Sequence, residues 1–190
     1  YKDPSHVMAF IENHDTDRFL GETQDTLALK QALALLLTVN RIPQLYYGTE
    51  VLMNGTKQVT DGNVRKDFPG GFPGDTRSCF TTEGRTKAEN DMFRWTARLL
   101  HWRQGNEVIT KGKQTQFIPQ NGVYVVARSY NGKNVMTVIN GTSKAATMKA
   151  ERYAEIIGDA QEATNILTGH KINISKDVKL APRGVMVLEF

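Results

Sequence analysis

The chain has 190 residues, of which 39% are hydrophobic and 23% charged, enough to bury one sizeable core or two small ones and too apolar for a disordered segment. Its formal charge of +4 is spread over scattered Lys and Arg without a charged block, which argues against a nucleic-acid footprint, and its longest apolar run, near Ala32 to Val39, falls short of the roughly 18 residues of a membrane span. Cys79 is the only cysteine, so no disulfide forms within the chain, and with no partner motif around it a structural thiol is expected.

The opening Tyr1-Lys-Asp-Pro-Ser-His6 shows no charged and apolar targeting segment and leads into the first predicted element. That element is the apolar stretch Val7 to Ile11, read as a buried strand, which runs into Phe10-Ile-Glu-Asn-His-Asp15. Asn, His and Asp in a row are poor strand residues and allow two readings. They close the strand as a turn, since Asn and Asp favour turns for backbone reasons, or they form a strand end that carries chemistry, as in an α/β barrel. Asp25 to Asn40 follows, with Leu27, Leu29, Leu33, Leu35, Leu36 and Leu37 nearly encircling a predicted helix that must be buried on more than one side. Ile42-Pro-Gln-Leu-Tyr-Tyr-Gly-Thr-Glu50 reads as a second short apolar strand ending in polar and Gly residues. Residues 51–85 are a long polar loop dense in Gly and Asp, a length uncommon in a compact domain unless the loop is functional.

Thr86-Lys-Ala-Glu89 fits a capping box that opens a second helix, with Met92, Thr96, Leu99 and Arg103 on one stripe and Trp95 and Trp102 beside it. The tryptophans could serve as sugar platforms, but helical spacing favours core packing. From Gln114 onward the pattern changes to short alternating strands. Val123 to Tyr130 and Val135 to Ile139 are joined through Asn131-Gly132, a tight-hairpin signal. Ala145 to Lys149, Ala163 to Leu167, Lys171 to Ile174 and Gly184 to Phe190 are further strands, and about seven such elements predict an antiparallel sandwich. Leu180 to Phe190 reads as its last strand. Tyr124, Tyr130 and Tyr153 could stack on sugars, although two of them lie in strands where packing is favoured. His6, His14, His101 and His170 lack ligand spacing, so no metal site is expected.

Taken in order, Asn13-His14-Asp15, Ile42 to Glu50, and Asp61-Gly-Asn-Val-Arg65-Lys-Asp67-Phe-Pro-Gly-Gly71-Phe72 resemble the end of the catalytic barrel of the α-amylase family, glycoside hydrolase family 13. The first resembles the motif closing the seventh barrel strand, the second the eighth strand, and the third the loop after it in the neopullulanase and cyclomaltodextrinase branch. The resemblance implies an α/β plus all-β chain: residues 1–104 as the C-terminal part of a (β/α)8 TIM barrel and residues 105–190 as the antiparallel β-sandwich called domain C. It implies a retaining α-glucan hydrolase, in which one carboxylate attacks and another protonates the leaving oxygen. Asp15 matches a third carboxylate that stabilises the transition state by holding the distorted ring, and His14 matches a histidine that hydrogen-bonds sugar hydroxyls beside it. Arg65 matches a basic residue that contacts the terminal sugar, with Asp61 or Asp67 as its carboxylate neighbour. The Phe-Pro-Gly-Gly sequence departs from the Arg-Pro-Met form of other relatives, and the alternative for Arg65 is an exposed arginine that holds a loop together.

The family's nucleophile and acid lie upstream of residue 1, so the chain alone is expected not to hydrolyse starch. Glu12 sits at a motif position with no catalytic role, and Glu50 is expected to cap the second strand and tie the loop by hydrogen bonds. No cofactor is expected in this chain, while the resemblance allows calcium in a longer parent. The expected partners are α-glucan oligosaccharides and the missing N-terminal part of the barrel, with no nucleic acid and no membrane span. Two strands of a closed sheet would leave edges and the apolar faces of Asp25 to Asn40 uncovered, so the isolated chain is expected to dimerise, swap elements or need the other half of the barrel. The resemblance points to a periplasmic or extracellular parent. Two other readings share these features: a non-catalytic glucan-binding β-sandwich module, and an α-glucan transglycosylase with the same carboxylates.

Overall fold

The computed structural model describes residues 2–21 and 24–190, so Tyr1 of the opening segment lies outside it. β1 (Met8–Ala9) and β2 (Ile42–Pro43) pair in parallel, Met8 opposite Ile42 and Ala9 opposite Pro43, with α1 (Thr26–Thr38) between them in the chain. A parallel pair needs such a crossover. Asp25 starts α1 by accepting a hydrogen bond from the Ala28 amide at 2.9 Å. Both strands are shorter than the apolar runs suggested. After β1 the Asn13 side chain folds the backbone by accepting from the Asp15 amide at 2.8 Å. After β2 the chain bends into a 3₁₀ turn at Thr49–Val51, framed by Gly48 and Leu52 in the left-handed region.

The stretch expected to be an unbroken loop contains α2 (Asp61–Val64), capped by the Thr60 hydroxyl. α3 (Lys87–Arg103) begins with the expected capping box: Glu89 N donates to the Thr86 hydroxyl, and Thr86 N donates to the Glu89 carboxylate. Met92, Thr96 and Leu99 are buried on its stripe, and both tryptophans pack against apolar cores as expected. α4 (Glu107–Lys111) follows at once, its first amides capped by Asn106.

The remaining strands are β3 (Lys113–Gln116), β4 (Val123–Tyr130), β5 (Lys133–Asn140), β6 (Ala146–Met148), β7 (Glu162–Asn165), β8 (Lys171–Asn173), β9 (Val178–Leu180) and β10 (Val185–Glu189), with α5 (Ala154–Ile157) between β6 and β7. They form a six-stranded antiparallel sheet in the order β3-β4-β5-β10-β7-β8 and a two-stranded sheet of β6 and β9. Asn131 and Gly132 turn the β4–β5 hairpin with φ of 48° and 74°, the positive pair that a tight hairpin requires. Leu180 does not belong to the last strand. It pairs with Ala146 in the small sheet, and the chain then reverses through Arg183, at φ 53°, before β10 begins.

Alternation along β4, β5 and β10 sends side chains to two different cores. Val123, Val125, Ala127, Met136, Val138 and Leu188 pack with Met148, Val178 and Leu180 of the small sheet. On the opposite face Val135 and Val187 pack with Ala34 and Leu37 of α1, Leu99 of α3 and Val108 and Ile109 of α4. The sandwich is therefore unequal, a broad sheet covered by a narrow one, and helices cover its other face. The apolar residues of α1, expected to stand exposed, are mostly buried here: Leu29, Leu33, Ala34, Leu36 and Leu37. Only the edge part of the oligomer argument keeps a structural basis, since Met8 at 55% and Ile42 at 51% exposure remain open.

Polar contacts reinforce the seam between α1 and the sheet. Thr137 Oγ1 donates to Thr38 Oγ1 at 2.7 Å, which donates in turn to the Ala34 carbonyl at 2.7 Å. Arg128, 1% exposed, donates to the carbonyls of Gly112 at 2.7 Å and Thr38 at 3.2 Å. Its charge meets the C-terminal end of α1, where carbonyls point outward without helical partners. Burial, followed by the nearby positive charge of Arg103, pushes the Arg128 guanidinium down to about 10.

Candidate functional site

β1 delivers the chain to a tight polar turn. Asn13 N donates to the Thr16 hydroxyl at 3.0 Å, closing the turn that lifts His14 and Asp15 into solvent. His14 Nε2 stands 3.1 Å from Asp15 Oδ2, and the two side chains are 60% and 61% exposed. The long loop then folds back over this turn. Arg65, the residue that ends α2, donates from Nε to the His14 carbonyl at 2.9 Å and from Nη2 to Asp15 Oδ1 at 3.1 Å. The same Nη2 lies 3.5 Å from Asp61 Oδ2. Lys57 completes the group, with Nζ 3.3 Å from Asp61 Oδ1 and its amide donating to Asp17 at 2.6 Å.

The structure thus brings together four of the residues singled out from the sequence: His14, Asp15, Asp61 and Arg65. Asp67 is elsewhere. It is exposed and lines a cavity of about 270 Å³ with Lys66, Arg77, Cys79 and Glu89. Its place beside Arg65 is taken by Asp61, because α2 sets residues four apart on the same face. Glu50 also departs from expectation. Its carboxylate makes no hydrogen bond among the described residues and instead lines a cavity of about 460 Å³ with Tyr47, Phe68, Phe80, Arg85 and Phe93.

The loop is tied down by Arg18, which donates to the Gly55 and Val64 carbonyls, and Glu12 stands behind it. The Glu12 carboxylate, 2% exposed, accepts from the Thr49 hydroxyl and the Phe19 amide and faces Arg18 Nη1 at 3.4 Å. Arg18 itself is completely buried. Sequence reasoning assigned no role to either. The available signal was their flanks, since Glu12 follows Phe10-Ile11 and Arg18 precedes Phe19-Leu20, so both charges are carried into apolar surroundings.

Farther along the loop Arg77 grips Glu89 with two hydrogen bonds of 2.7 and 2.9 Å. That grip, with help from Thr86 and against a smaller opposing effect of burial, lowers the Glu89 carboxyl to about 2. Burial pushes the Cys79 thiol up, the behaviour of an inert structural cysteine. Among the described residues no group of three or more His, Cys, Asp and Glu is placed to hold a metal ion.

Chemically, the cluster is a carboxylate held open by an imidazole on one oxygen and a guanidinium on the other. Such a set can accept from and donate to vicinal hydroxyls at once, which suits a sugar ring. Residues 114–189 match the family described as the cyclo-malto-dextrinase C-terminal domain. The chain is also similar to the cyclomaltodextrin glucanotransferase of Paenibacillus macerans, 27% identical over 173 residues that make up 87% of this chain and 22% of that enzyme. An α-amylase of Niallia circulans is 27% identical over 177 residues, 89% of this chain and 30% of the enzyme. Among solved structures, a γ-CGTase of alkalophilic Bacillus clarkii matches 100% of this chain and 27% of its own at 26% identity, with a TM-score of 0.68. Over most of its length the chain is thus similar to α-amylases and cyclomaltodextrin glucanotransferases. An α-amylase of Geobacillus thermoleovorans, solved with acarbose, shares its fold across 100% of the chain and 40% of its own with a TM-score of 0.74 at 22% identity. The chain spans about a fifth to a third of the length of those two curated relatives, 22% and 30%.

Proposed function

We propose that this chain is part of a retaining enzyme acting on α-glucosidic bonds of starch-derived oligosaccharides, in which residues 1–104 supply the end of a (β/α)8 barrel and residues 105–190 its β-domain. The observation that carries the reading is the placement of Asp15. It stands just beyond the C-terminal end of β1, in a parallel strand–helix–strand unit, and the loop after β2 reaches across to it through Arg65. Chemistry in a (β/α)8 barrel sits at that rim.

In this reading Asp15 stabilises the transition state. Its fixed negative charge and acceptor oxygens favour a ring that becomes positive as the bond breaks, and the gain is greatest where the charge develops. His14 and Arg65 bind sugar hydroxyls, and Asp61 holds Arg65. Asp67 retains a proposed role in substrate binding only at a separate point, since it does not join the cluster. The nucleophile and the general acid come from outside these residues, so the chain by itself is inactive. The proposed partners are the remainder of the barrel and an α-glucan, in a periplasmic or extracellular enzyme.

The test is Asp15→Asn in the longer enzyme, assayed on maltoheptaose. Loss of one such group lowers kcat by about 100-fold or more. Unchanged turnover would remove Asp15 from the mechanism. A second reading, transglycosylation, draws on the relatives named as cyclomaltodextrin glucanotransferases. Product analysis separates the two: cyclic or lengthened glucans mark transfer, and short linear sugars alone mark hydrolysis. The binding-module alternative loses ground because Tyr153 is only 1% exposed and both faces of the broad sheet are covered.

A further inference from the structure

We infer that Glu12 and Arg18 form a positioning strut that sets the geometry of the Asp15–Arg65 cluster. The inference rests on the proposed role of that cluster in gripping a sugar.

Arg18 reaches three stretches of chain from one buried point. Its amide donates to the Gly55 carbonyl at 3.0 Å, Nε to the Val64 carbonyl at 3.0 Å, and Nη1 to the Tyr47 carbonyl at 2.6 Å. Its guanidinium carbon lies 3.9 Å from the centre of the Tyr46 ring and 4.8 Å from that of Tyr47. Glu12 backs this fork at 3.4 Å and ties it to Thr49 and Phe19. The contacts close a ring. Val64, held by Arg18, is followed by Arg65, and Arg65 Nη2 returns to Asp15 at 3.1 Å, three residues before Arg18.

Energetics favour a geometric role over a stabilising one. A buried ion pair contributes little compared with apolar side chains of the same shape, because both ions lose their water. Here Arg18 Nη2 also has no hydrogen-bond partner among the described residues, a further cost. The exposed pairs of the cluster cannot fix Asp15 themselves, since Arg65 is 42% and Asp61 56% exposed and such contacts are weak and screened. Rigidity must come from beneath. A lysine could not replace the arginine, because a single ammonium cannot serve separate carbonyls and stack on a ring together.

The experiment measures Arg18→Lys on maltoheptaose in the longer enzyme, with Arg128→Lys as a buried-arginine control far from the cluster. Arg18→Lys is expected to lower kcat by about ten- to a hundredfold, as a displaced catalytic group does, with little change in KM. Arg128→Lys is expected to lower the melting temperature and leave kcat near the parent's. In an Arg65→Ala background the Arg18→Lys loss is expected to shrink, because the two residues act through one ring. Parental kcat in Arg18→Lys, or an equal loss in both backgrounds, overturns the strut. Should Arg18→Lys fail to fold, Glu12→Gln decides by the same criteria. If Asp15→Asn destroys turnover while Arg18→Lys does not affect it, only the strut falls. If Asp15→Asn has no effect, the reading of the cluster falls first.

Discussion

The seam between α1 and the broad sheet and the turn after β1 are both built from polar side chains, yet they differ in what surrounds them. At the seam Thr38 is 1%, Thr137 1% and Arg128 1% exposed, and their hydrogen bonds run to carbonyls and to one another. At the turn His14 and Asp15 are about three-fifths exposed, and their partners are charged groups that water also reaches. The sealed polar groups of the seam act on folding, because an unmade hydrogen bond there has no solvent to replace it. Polar groups left open act on a ligand, because they stay free to exchange partners. The same residue type, arginine, therefore has a structural task at position 128 and, in the proposed reading, a recognition task at position 65.

Breaking the seam should have the largest effect on stability. Arg128→Ala removes a buried side chain and leaves the Gly112 and Thr38 carbonyls without their donor, at an expected cost of about 3–5 kcal/mol. Urea unfolding should show the midpoint falling with little change in slope. Thr38→Val keeps the volume but leaves the Thr137 hydroxyl without its acceptor, with an expected loss of about 1–3 kcal/mol. Thr137→Val added to it should cost less than it does alone, because the orphaned donor is then gone.

The Arg77–Glu89 clasp stands between these extremes, since Glu89 is 12% and Arg77 44% exposed. Glu89 titrates at about 2 in the folded chain against an ordinary 4.5, so the unfolded chain binds the proton more readily. The contribution is fully present above 4.5 and disappears as pH falls through about 2. Arg77→Ala should therefore cost on the order of 1 kcal/mol at neutral pH, after allowance for solvent around Arg77, and should flatten the fall in stability across that acid window. Thermal unfolding from neutral pH down to pH 2 checks both.

The difference between the two regions also explains what could be read from the sequence. β4 and β5 alternate cleanly around Asn131-Gly132, and the capping box at Thr86 is local chemistry, so both were legible. β3 was not, because Lys113-Gln-Thr-Gln116 contains no apolar residue and is a strand only through its backbone bonds to β4. β9 is not legible either, since three residues give too short an alternation to separate Leu180 from the last strand or to reveal the turn at Arg183. At the site His14, Asp15 and Arg65 stood out as residue types at a strand end and in a long loop. Choosing Asp61 over Asp67 required α2, whose four residues are too few to show a period. Glu12 and Arg18 stayed hidden because their meaning lies in contacts with Val64 and Tyr47, far along the chain.

The smallest expected effect sharpens the contrast most. Arg65→Ala removes contacts to Asp15, Asp61 and the His14 carbonyl, as many polar contacts as Thr38→Val removes at the seam. Because every group involved stays in water, its stability cost should be within about 0.5 kcal/mol and should shrink further in molar salt, where exposed charges are screened. The same variant should raise KM for short oligosaccharides in the longer enzyme while unfolding at nearly the parental urea concentration. A stability loss comparable to that of Thr38→Val would mean that Arg65 is a brace for the loop and not a ligand contact. The separation of sealed and open polar groups would then fail at the residue where it matters most for function.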